Sequence, residues 1–340
     1  MAKSNEVNPA VVILDTDLAM GEPGSEIDDG FALALLLAEE RLKLELLTTV
    51  FGNTGVETAT NLSRDMLDRF GYASTRVVQG AAGPLRGSPI EGDSVTSKPG
   101  GQTDPTQNGA RQAAVAMTEL AAERAGEVTV IAIGPLTNVA AAIELDPGFT
   151  KNLKEIVVMG GVFMKQMNRR DMPGEFNFWN DPEAVEIVLK SGANIRIVGL
   201  DVTEKVRINR SEAQMMLEDG EGFASFAGEC ILSWLDRLQA NFPGAKPAID
   251  SCAIHDALAV GAIVREDLFT WAPAHLGIVT GASIARGHVV CDFLTTSEPP
   301  TPNALVAVDV LSQDFETYFR SKFNGLPFGE SERSEERKHR

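Results

Sequence analysis

Apolar segments of strand length alternate with segments of helix length along most of this 340-residue chain. Five segments are nearly uninterrupted in apolar or β-branched residues, as strands buried on both faces are: residues 11–14, 44–50, 128–133, 155–159 and 195–200. The segments between them have helical patterns: 29–38, 56–70, 110–125, 137–143 and 182–189. This alternation predicts an α/β fold, an open and mainly parallel central sheet with helices on both faces. In such folds ligands bind at the carboxyl ends of the strands.

The later third of the chain has a different pattern. It predicts C-terminal helices at 212–217, 223–240 and 257–264 and short strands at 275–279, 287–294 and 305–308. Because no Pro/Ser-rich linker separates these segments from the first part, we expect one domain over residues 1–328. Residues 83–109 have the composition of a long loop, and residues 329–340 that of a polar, solvated tail.

Composition and charge exclude several classes of protein. With 30 basic and 48 acidic side chains, the formal net charge is −18, which disfavours binding to nucleic acid. The three cysteines lack the paired spacing of a zinc site or a disulfide framework. The apolar run near the N-terminus is too short for a signal peptide, and no run is long enough to span a membrane, so we expect a cytoplasmic protein.

Four aspartates follow the first predicted strand: Asp15, Asp17, Asp28 and Asp29. Asp28 could cap the next helix, but capping does not explain Asp15 and Asp17. Several like charges at the end of a buried strand repel one another unless a cation neutralises them. Since neither His nor Cys stands among them, calcium or magnesium is favoured over zinc, and the number of carboxylates favours Ca²⁺.

This pattern resembles the N-terminal signature of the inosine-uridine-preferring nucleoside hydrolase family, and the resemblance extends over nearly the whole chain. Further segments resemble family blocks in the same order: Phe51-Gly52-Asn53, Ile133-Gly134-Pro135-Leu136-Thr137-Asn138, Met159-Gly160-Gly161, Glu175-Phe176-Asn177, Asp181-Pro182-Glu183-Ala184 and His255-Asp256-Ala257. The resemblance implies hydrolysis of the N-glycosidic bond of ribonucleosides, which gives free base and ribose, with one bound Ca²⁺. It also implies a homodimer or homotetramer.

The resemblance also implies roles for individual residues. The metal ligands would be Asp17, Asp29, Asp256 and the backbone carbonyl of Thr137, with Asp15 orienting them. Asp17 would also be the general base for a metal-bound water that attacks C1′. Taken alone, the segment around Thr137 is equally consistent with an ordinary helix start capped by its hydroxyl.

The substrate would be held by a second set of residues that the resemblance implies. Asp28 and Asn177 would bind the 2′- and 3′-hydroxyls, Glu175 the hydroxyls toward the 5′ end, and Asn53 and Asn168 other ribose atoms. His255 would lie beside the leaving base, although a lone buried histidine is more often structural. The candidates for stacking on the base are Phe176, Trp179 and Trp234, and Trp234 on its apolar helix also fits a role in the core.

Two features depart from the family pattern. The second Asp and the Asp pair are separated by three residues in the family but by ten here, residues 18–27. The glycines and proline of this insertion predict a protruding loop, with Glu22 and Glu26 expected to be solvated charges and, as the alternative, one of them reaching the site. In addition, residues 83–109 lack the histidine that the family carries there. The sequence therefore does not determine which group activates the leaving base. It also does not determine which base is cleaved, and the substrate could be an atypical riboside such as a cofactor precursor.

Two other functions compete with this interpretation. Phosphatases of the haloacid dehalogenase type also begin with an apolar strand that ends in D-x-D, but they need a distal acidic motif that this sequence does not show. The second alternative is a non-catalytic, calcium-stabilised protein that binds nucleosides. Because such a protein does not need an intact base, the presence of Asp17 favours the enzyme.

Overall fold

A twisted sheet forms the centre of the molecule. The computed structural model describes residues 8–85, 108–165, 172–245, 249–323 and 326–329. Within these ranges, the strands of the main sheet are β1 (Ala10–Thr16), β2 (Leu42–Thr49), β3 (Arg76–Gln79), β4 (Val128–Ala132), β5 (Leu153–Met159), β6 (Ile195–Val198), β9 (Phe269–Ile278), β10 (Val289–Asp292) and β11 (Ala304–Val310). A separate antiparallel pair consists of β7 (Arg207–Asn209) and β8 (Ser251–Ala253).

The strand order of the main sheet is β10-β9-β11-β6-β5-β4-β1-β2-β3. All neighbours from β11 to β3 pair in parallel, whereas β9 runs antiparallel to both β11 and β10. The chain continues from β1 to β2 and β3 on one side and then returns to β4 on the other side of β1. The order therefore reverses between β1 and β4, which is where open α/β sheets bind their ligands.

Helices cover both faces of the sheet. They are α1 (Asp28–Leu37), α2 (Val56–Arg69), α3 (Gly109–Glu123), α4 (Thr137–Leu145), α5 (Phe149–Asn152), α6 (Phe176–Asn180), α7 (Pro182–Lys190), α8 (Leu200–Thr203), α9 (Arg210–Asp219), α10 (Phe223–Asn241), α11 (His255–Val264) and α12 (Ser312–Phe323). Among the helices in the described ranges, none combines the length and apolar character that a membrane crossing requires.

Side chains of β1 alternate between two hydrophobic cores. Val12 and Leu14 pack into the core beneath α1, α10, α11 and α12, whereas Val11 and Ile13 pack into the core beneath α3, α4 and α7. Successive side chains of a strand point to opposite faces, so a strand buried on both sides must be apolar throughout. This confirms the predicted α/β class and its mainly parallel sheet.

Most predicted elements are present, and the differences have physical reasons. The predicted strand 195–200 ends at Val198, because Leu200 begins α8. β3, a four-residue strand at the edge of the sheet, was not predicted. α12 was not predicted either, although its buried Phe315, Phe319 and Phe323 recur every four residues, a periodicity that indicates a helix.

Candidate active site

A group of buried carboxylates lies where β1 ends. Asp17 follows β1, Asp28 and Asp29 open α1, and Asp256 lies in the first turn of α11. Oxygens of Asp28, Asp29 and Asp256 lie within 4.8 Å of one another. The packing of α1 against α11 on one face of the sheet thus joins the first predicted motif to a residue more than two hundred positions later.

Asn53 connects two of these aspartates. Its backbone N–H donates to Asp17 Oδ2 at 2.7 Å, and its side-chain Nδ2 donates to Asp29 Oδ2 at 3.0 Å. The hydroxyl of Thr16 donates to the other oxygen of Asp29. Asn53 therefore lies beside the carboxylate group and orients Asp17 and Asp29.

The geometry and charge of the group fit a hard cation. Asp17 Oδ1 and Asp28 Oδ1 are buried and lack a hydrogen-bond partner among the described residues. Burial raises the pKa values of Asp17, Asp28 and Asp256, and repulsion from neighbouring carboxylates raises them further. Unpaired buried oxygens are costly, and a cation with oxygen ligands would remove both the repulsion and the missing contacts. The interpretation of Asp28 as a helix cap is not supported, since it is the first residue of α1.

Asp15 lies behind this group in a network of polar side chains. Its Oδ1 accepts from Thr48 Oγ1 at 2.6 Å and from Asn138 Nδ2 at 2.8 Å. Asn138 also bonds the backbone at Thr49 and Ala81. Burial raises the pKa of Asp15 to about 7 although these hydrogen bonds lower it. Asp15 thus connects β1, β2 and α4, as expected for a residue that orients others.

This pKa predicts how the stability of the calcium-free protein depends on pH. Because the folded state binds the proton of Asp15 more tightly than the unfolded chain, the stabilisation is complete below about pH 4 and is lost as pH rises through about 7. We therefore expect the free energy of unfolding to fall between about pH 4 and pH 7, with a slope of at most about 1.4 kcal/mol per pH unit for each proton. Urea unfolding at several pH values measures this slope. It should be smaller in Asp15→Asn, and a midpoint that stays constant or rises with pH would contradict the prediction.

The segment after β4 lies beside Asp17. A Cβ built on Gly134 would be 2.9 Å from Asp17 Oδ1, so only glycine allows this approach. Thr137, the first residue of α4, is buried, and its hydroxyl donates to Asp181 Oδ2 at 2.6 Å. Asp181 also accepts from the N–H groups of Leu85 and Ala184. The hydroxyl of Thr137 therefore binds another loop instead of capping its own helix.

Glu175 and Asn177 are buried and hold the loops that follow β4 and β5. Glu175 is the N-cap of α6 and accepts from the N–H groups of Gly161, Asn177 and Phe178. The side-chain Nδ2 of Asn177 donates to the carbonyl of Ile133 at 2.9 Å. Both side chains are therefore fixed by contacts to the backbone in the interior of the molecule.

Substitution of Gly52 tests how far the Asp17 carboxylate can shift before activity is lost. A Cβ at Gly52 would lie 1.9 Å from Asp17 Oδ2, whereas a Cβ at Gly55 meets no atom within 4 Å. We expect Gly52→Ala to displace the Asp17 carboxylate and to lower kcat about a hundredfold, because small misplacements of reacting groups have effects of that order. Gly55→Ala, three residues away, should retain wild-type kcat. Equal kcat values for the two folded variants would show that the position of Asp17 tolerates this shift.

His255 lies next to the carboxylate group at the start of α11. A ring nitrogen of His255 lies within 4.8 Å of oxygens of Glu26 and Asp28. Its Nδ1 forms a hydrogen bond with Thr203 Oγ1 at 2.7 Å. Burial lowers the pKa of His255 to about 4. His255 thus lies at the edge of the carboxylate group.

The expectation that Glu22 and Glu26 are both solvated is wrong for Glu26. Glu22 is exposed and accepts from Thr54 Oγ1. Glu26, in contrast, lies beside Asp28 and His255, and burial and the charges of Asp29 and Glu175 raise its pKa to about 7. Glu26 thus lies at the site, which was the alternative for one of these two glutamates. The sequence feature that indicates this position is that only Ile27, which is buried, separates Glu26 from the Asp28-Asp29 pair.

The aromatic candidates occupy different environments. Phe176 and Trp179 are half-buried on α6, and Trp179 packs against Gly287. Trp234 is half-buried on α10 and packs against the main core, as in the alternative interpretation. Asn168 lies outside the described residues, as do most of the predicted loop 83–109 and the tail after Gly329.

Comparison with known proteins gives consistent matches over most of the chain. The family model described as inosine-uridine preferring nucleoside hydrolase matches residues 12–317. The chain is 31% identical to uridine nucleosidase 1 of Arabidopsis thaliana, over 83% of this chain and 81% of that protein. It is 32% identical to the pyrimidine-specific ribonucleoside hydrolase RihA of Salmonella gallinarum, over 89% of this chain and 95% of that protein. The solved structure of a plant nucleoside hydrolase, the PpNRh1 enzyme, superposes with a TM-score of 0.78 at 26% identity, covering 93% of this chain and 99% of that one.

Proposed function

Because the chain belongs to the inosine-uridine preferring nucleoside hydrolase family and is therefore a hydrolase of nucleoside N-glycosyl bonds, we propose a calcium-dependent reaction that releases free base and ribose from ribonucleosides. The observation that carries the proposal is the buried group of Asp17, Asp28, Asp29 and Asp256. Its unpaired oxygens lie at the carboxyl end of β1, at the reversal point of the sheet.

The residues present fit a calcium ion. We propose that Asp17, Asp29, Asp256 and the backbone carbonyl of Thr137 hold it, and the two unpaired oxygens of Asp17 and Asp28 support an all-oxygen donor set. When bound, a cation of this kind lowers the pKa of water and orients hydroxyl groups of the substrate. Asp15 and Asn53 orient the carboxylates through the hydrogen bonds described above.

Asp17 acts as the general base in this proposal. It takes a proton from the water that attacks C1′, the C1′–N bond breaks, and the electron pair moves to the departing base. Positive charge develops on the ribosyl group in this transition state, as in other glycosidic cleavages. Asp28 and Glu175 stabilise that charge because their carboxylates are already in place.

Ribose and base are held by separate groups. We propose that Asp28 and Asn177 bind the 2′- and 3′-hydroxyls, with Asn177 using its amide oxygen because its Nδ2 bonds Ile133. Glu175 binds toward the 5′ end, and Asn53 and Asn168 add hydrogen bonds to ribose. His255 lies beside the leaving base, and Phe176, Trp179 and Trp234 are the candidates for stacking on it.

A reducing-sugar assay with uridine, cytidine, inosine, adenosine and guanosine tests the function. We expect calcium-dependent release of ribose, and the names of the two curated relatives make uridine the first substrate to test. Family membership removes the phosphatase alternative. If calorimetry shows nucleoside binding to the folded, calcium-loaded protein while no ribose appears, the chain is a binding protein and the proposal is wrong.

We further propose that residues 1–328 form one domain of a cytoplasmic homodimer or homotetramer. The single-domain proposal is supported by the main sheet, whose described strands run from Ala10 to Val310. Light scattering coupled to size-exclusion chromatography measures the oligomer mass.

A further inference from the structure

Glu26 is carried by the ten-residue insertion, and tertiary contacts fix its position. The N–H of Gly24 donates to Ser233 Oγ at 2.9 Å, and a Cβ on Gly24 would lie 3.3 Å from Arg237 Cβ, so the insertion packs directly on α10. At its start, Met20 is buried against Gly30 of α1. The insertion is therefore exposed only at its tip, residues 21–23, and its end is held against the site.

Glu26 adds a carboxylate to the site for which the described residues provide no basic partner. Together with Asp17, Asp28, Asp29, Glu175 and Asp256 it makes six carboxylates, and none of them forms an ion pair with an arginine, lysine or histidine in the described ranges. One divalent cation offsets at most two of the negative charges that these six carboxylates can carry. The remaining negative charge favours a positively charged ligand.

The position of this charge is beside the leaving base. Glu26 lies next to His255, the residue that the proposed function puts at the base. When a neutral nucleoside is cleaved, the electron pair of the C1′–N bond leaves negative charge on the base, and a neighbouring carboxylate opposes that departure. A base that is positively charged from the start departs as a neutral molecule, and the carboxylate attracts it in the bound state.

We infer that Glu26 selects ribosides whose base carries a positive charge, with N-ribosylpyridinium compounds as the chemical class. The inference rests on the proposed function and defines its substrate. In the balanced step, water oxygen bonds to C1′, the C1′–N bond breaks, the electron pair neutralises the pyridinium nitrogen and Asp17 takes the proton of the water. No proton is needed on the leaving base, which agrees with the missing histidine in residues 83–109.

The test compares a charged and a neutral substrate in matched variants. The probes are 3-carbamoylpyridinium riboside and uridine, and the proteins are wild type, Glu26→Gln, Glu26→Asp and Glu22→Gln, all loaded with calcium and checked for folding by circular dichroism. We expect Glu26→Gln to raise the KM for the pyridinium riboside about tenfold or more. Its kcat/KM for uridine should rise, because the carboxylate that opposes departure of the neutral base is removed. Glu26→Asp, which keeps the carboxylate, should raise this KM less than Glu26→Gln does. Glu22→Gln on the exposed tip should have the KM and kcat/KM of the wild type.

Three results would overturn the inference. An equal loss of kcat/KM on both substrates would assign Glu26 to ribose binding or to structure. A selective loss on uridine would make Glu26 a proton donor to the neutral base. Unchanged kcat and KM in Glu26→Gln on both substrates would show that Glu26 does not interact with the substrate. The proposed function fails separately, if the wild type releases ribose from neither probe.

Discussion

Asp17→Asn is expected to lower kcat for ribose release by on the order of a thousandfold while the protein remains folded. Asparagine has nearly the same shape and keeps an oxygen that can accept from the N–H of Asn53, now 2.7 Å from Asp17 Oδ2. It cannot take a proton from the attacking water. The loss should therefore appear in kcat more than in KM, because the substrate contacts of Asp28 and Asn177 remain.

Controls must separate the loss of a base from the loss of the cation. Calcium affinity of Asp17→Asn, measured by calorimetry, shows whether the cation still binds at the concentration of the assay. Asp219→Asn is the matched control, since Asp219 is an exposed aspartate at the end of α9. If calcium-loaded Asp17→Asn keeps more than about a tenth of wild-type kcat, another group is the base.

Removal of calcium is expected to abolish measurable ribose release and to lower thermal stability. The six carboxylates of the site repel one another without a cation, as the raised pKa values of Asp17, Asp28 and Asp256 indicate. A ligand that binds only the folded state adds about 2.7 kcal/mol at a hundred times its Kd. We therefore expect the Tm of the chelated protein to fall by several degrees.

Add-back of metal identifies the cation. Calcium should restore both activity and Tm, whereas magnesium at the same concentration should restore less, because Mg²⁺ requires a smaller octahedral shell and keeps more of its water. Asp256→Asn should weaken calcium binding and leave the fold intact. Full activity in protein that contains no metal by elemental analysis would contradict the calcium proposal.

The main elements of the fold could be predicted from local patterns. Strands buried on both faces must be continuously apolar, and helices on such a sheet must show helical periodicity, so β1, β2, β4 and β5 and most of the longer helices are encoded in short segments. β3 escaped prediction because a four-residue edge strand carries little pattern. The pairing of β11 with β6 also could not be foreseen, because no local signal specifies which distant strands become neighbours.

The candidate site was partly predictable for the same reason. Asp15, Asp17, Asp28 and Asp29 lie close together in sequence, and their repulsion indicates a cation. The sequence by itself therefore determined the α/β class, the carboxylate motif and the family resemblance, all of which depend on short-range spacing. The tertiary structure alone decided that Gly24 binds Ser233, 209 residues away, and that Glu26 lies beside Asp28 and His255. Those contacts turn Glu26 from a presumed surface charge into a site residue, because burial and neighbouring charge depend on how distant segments pack.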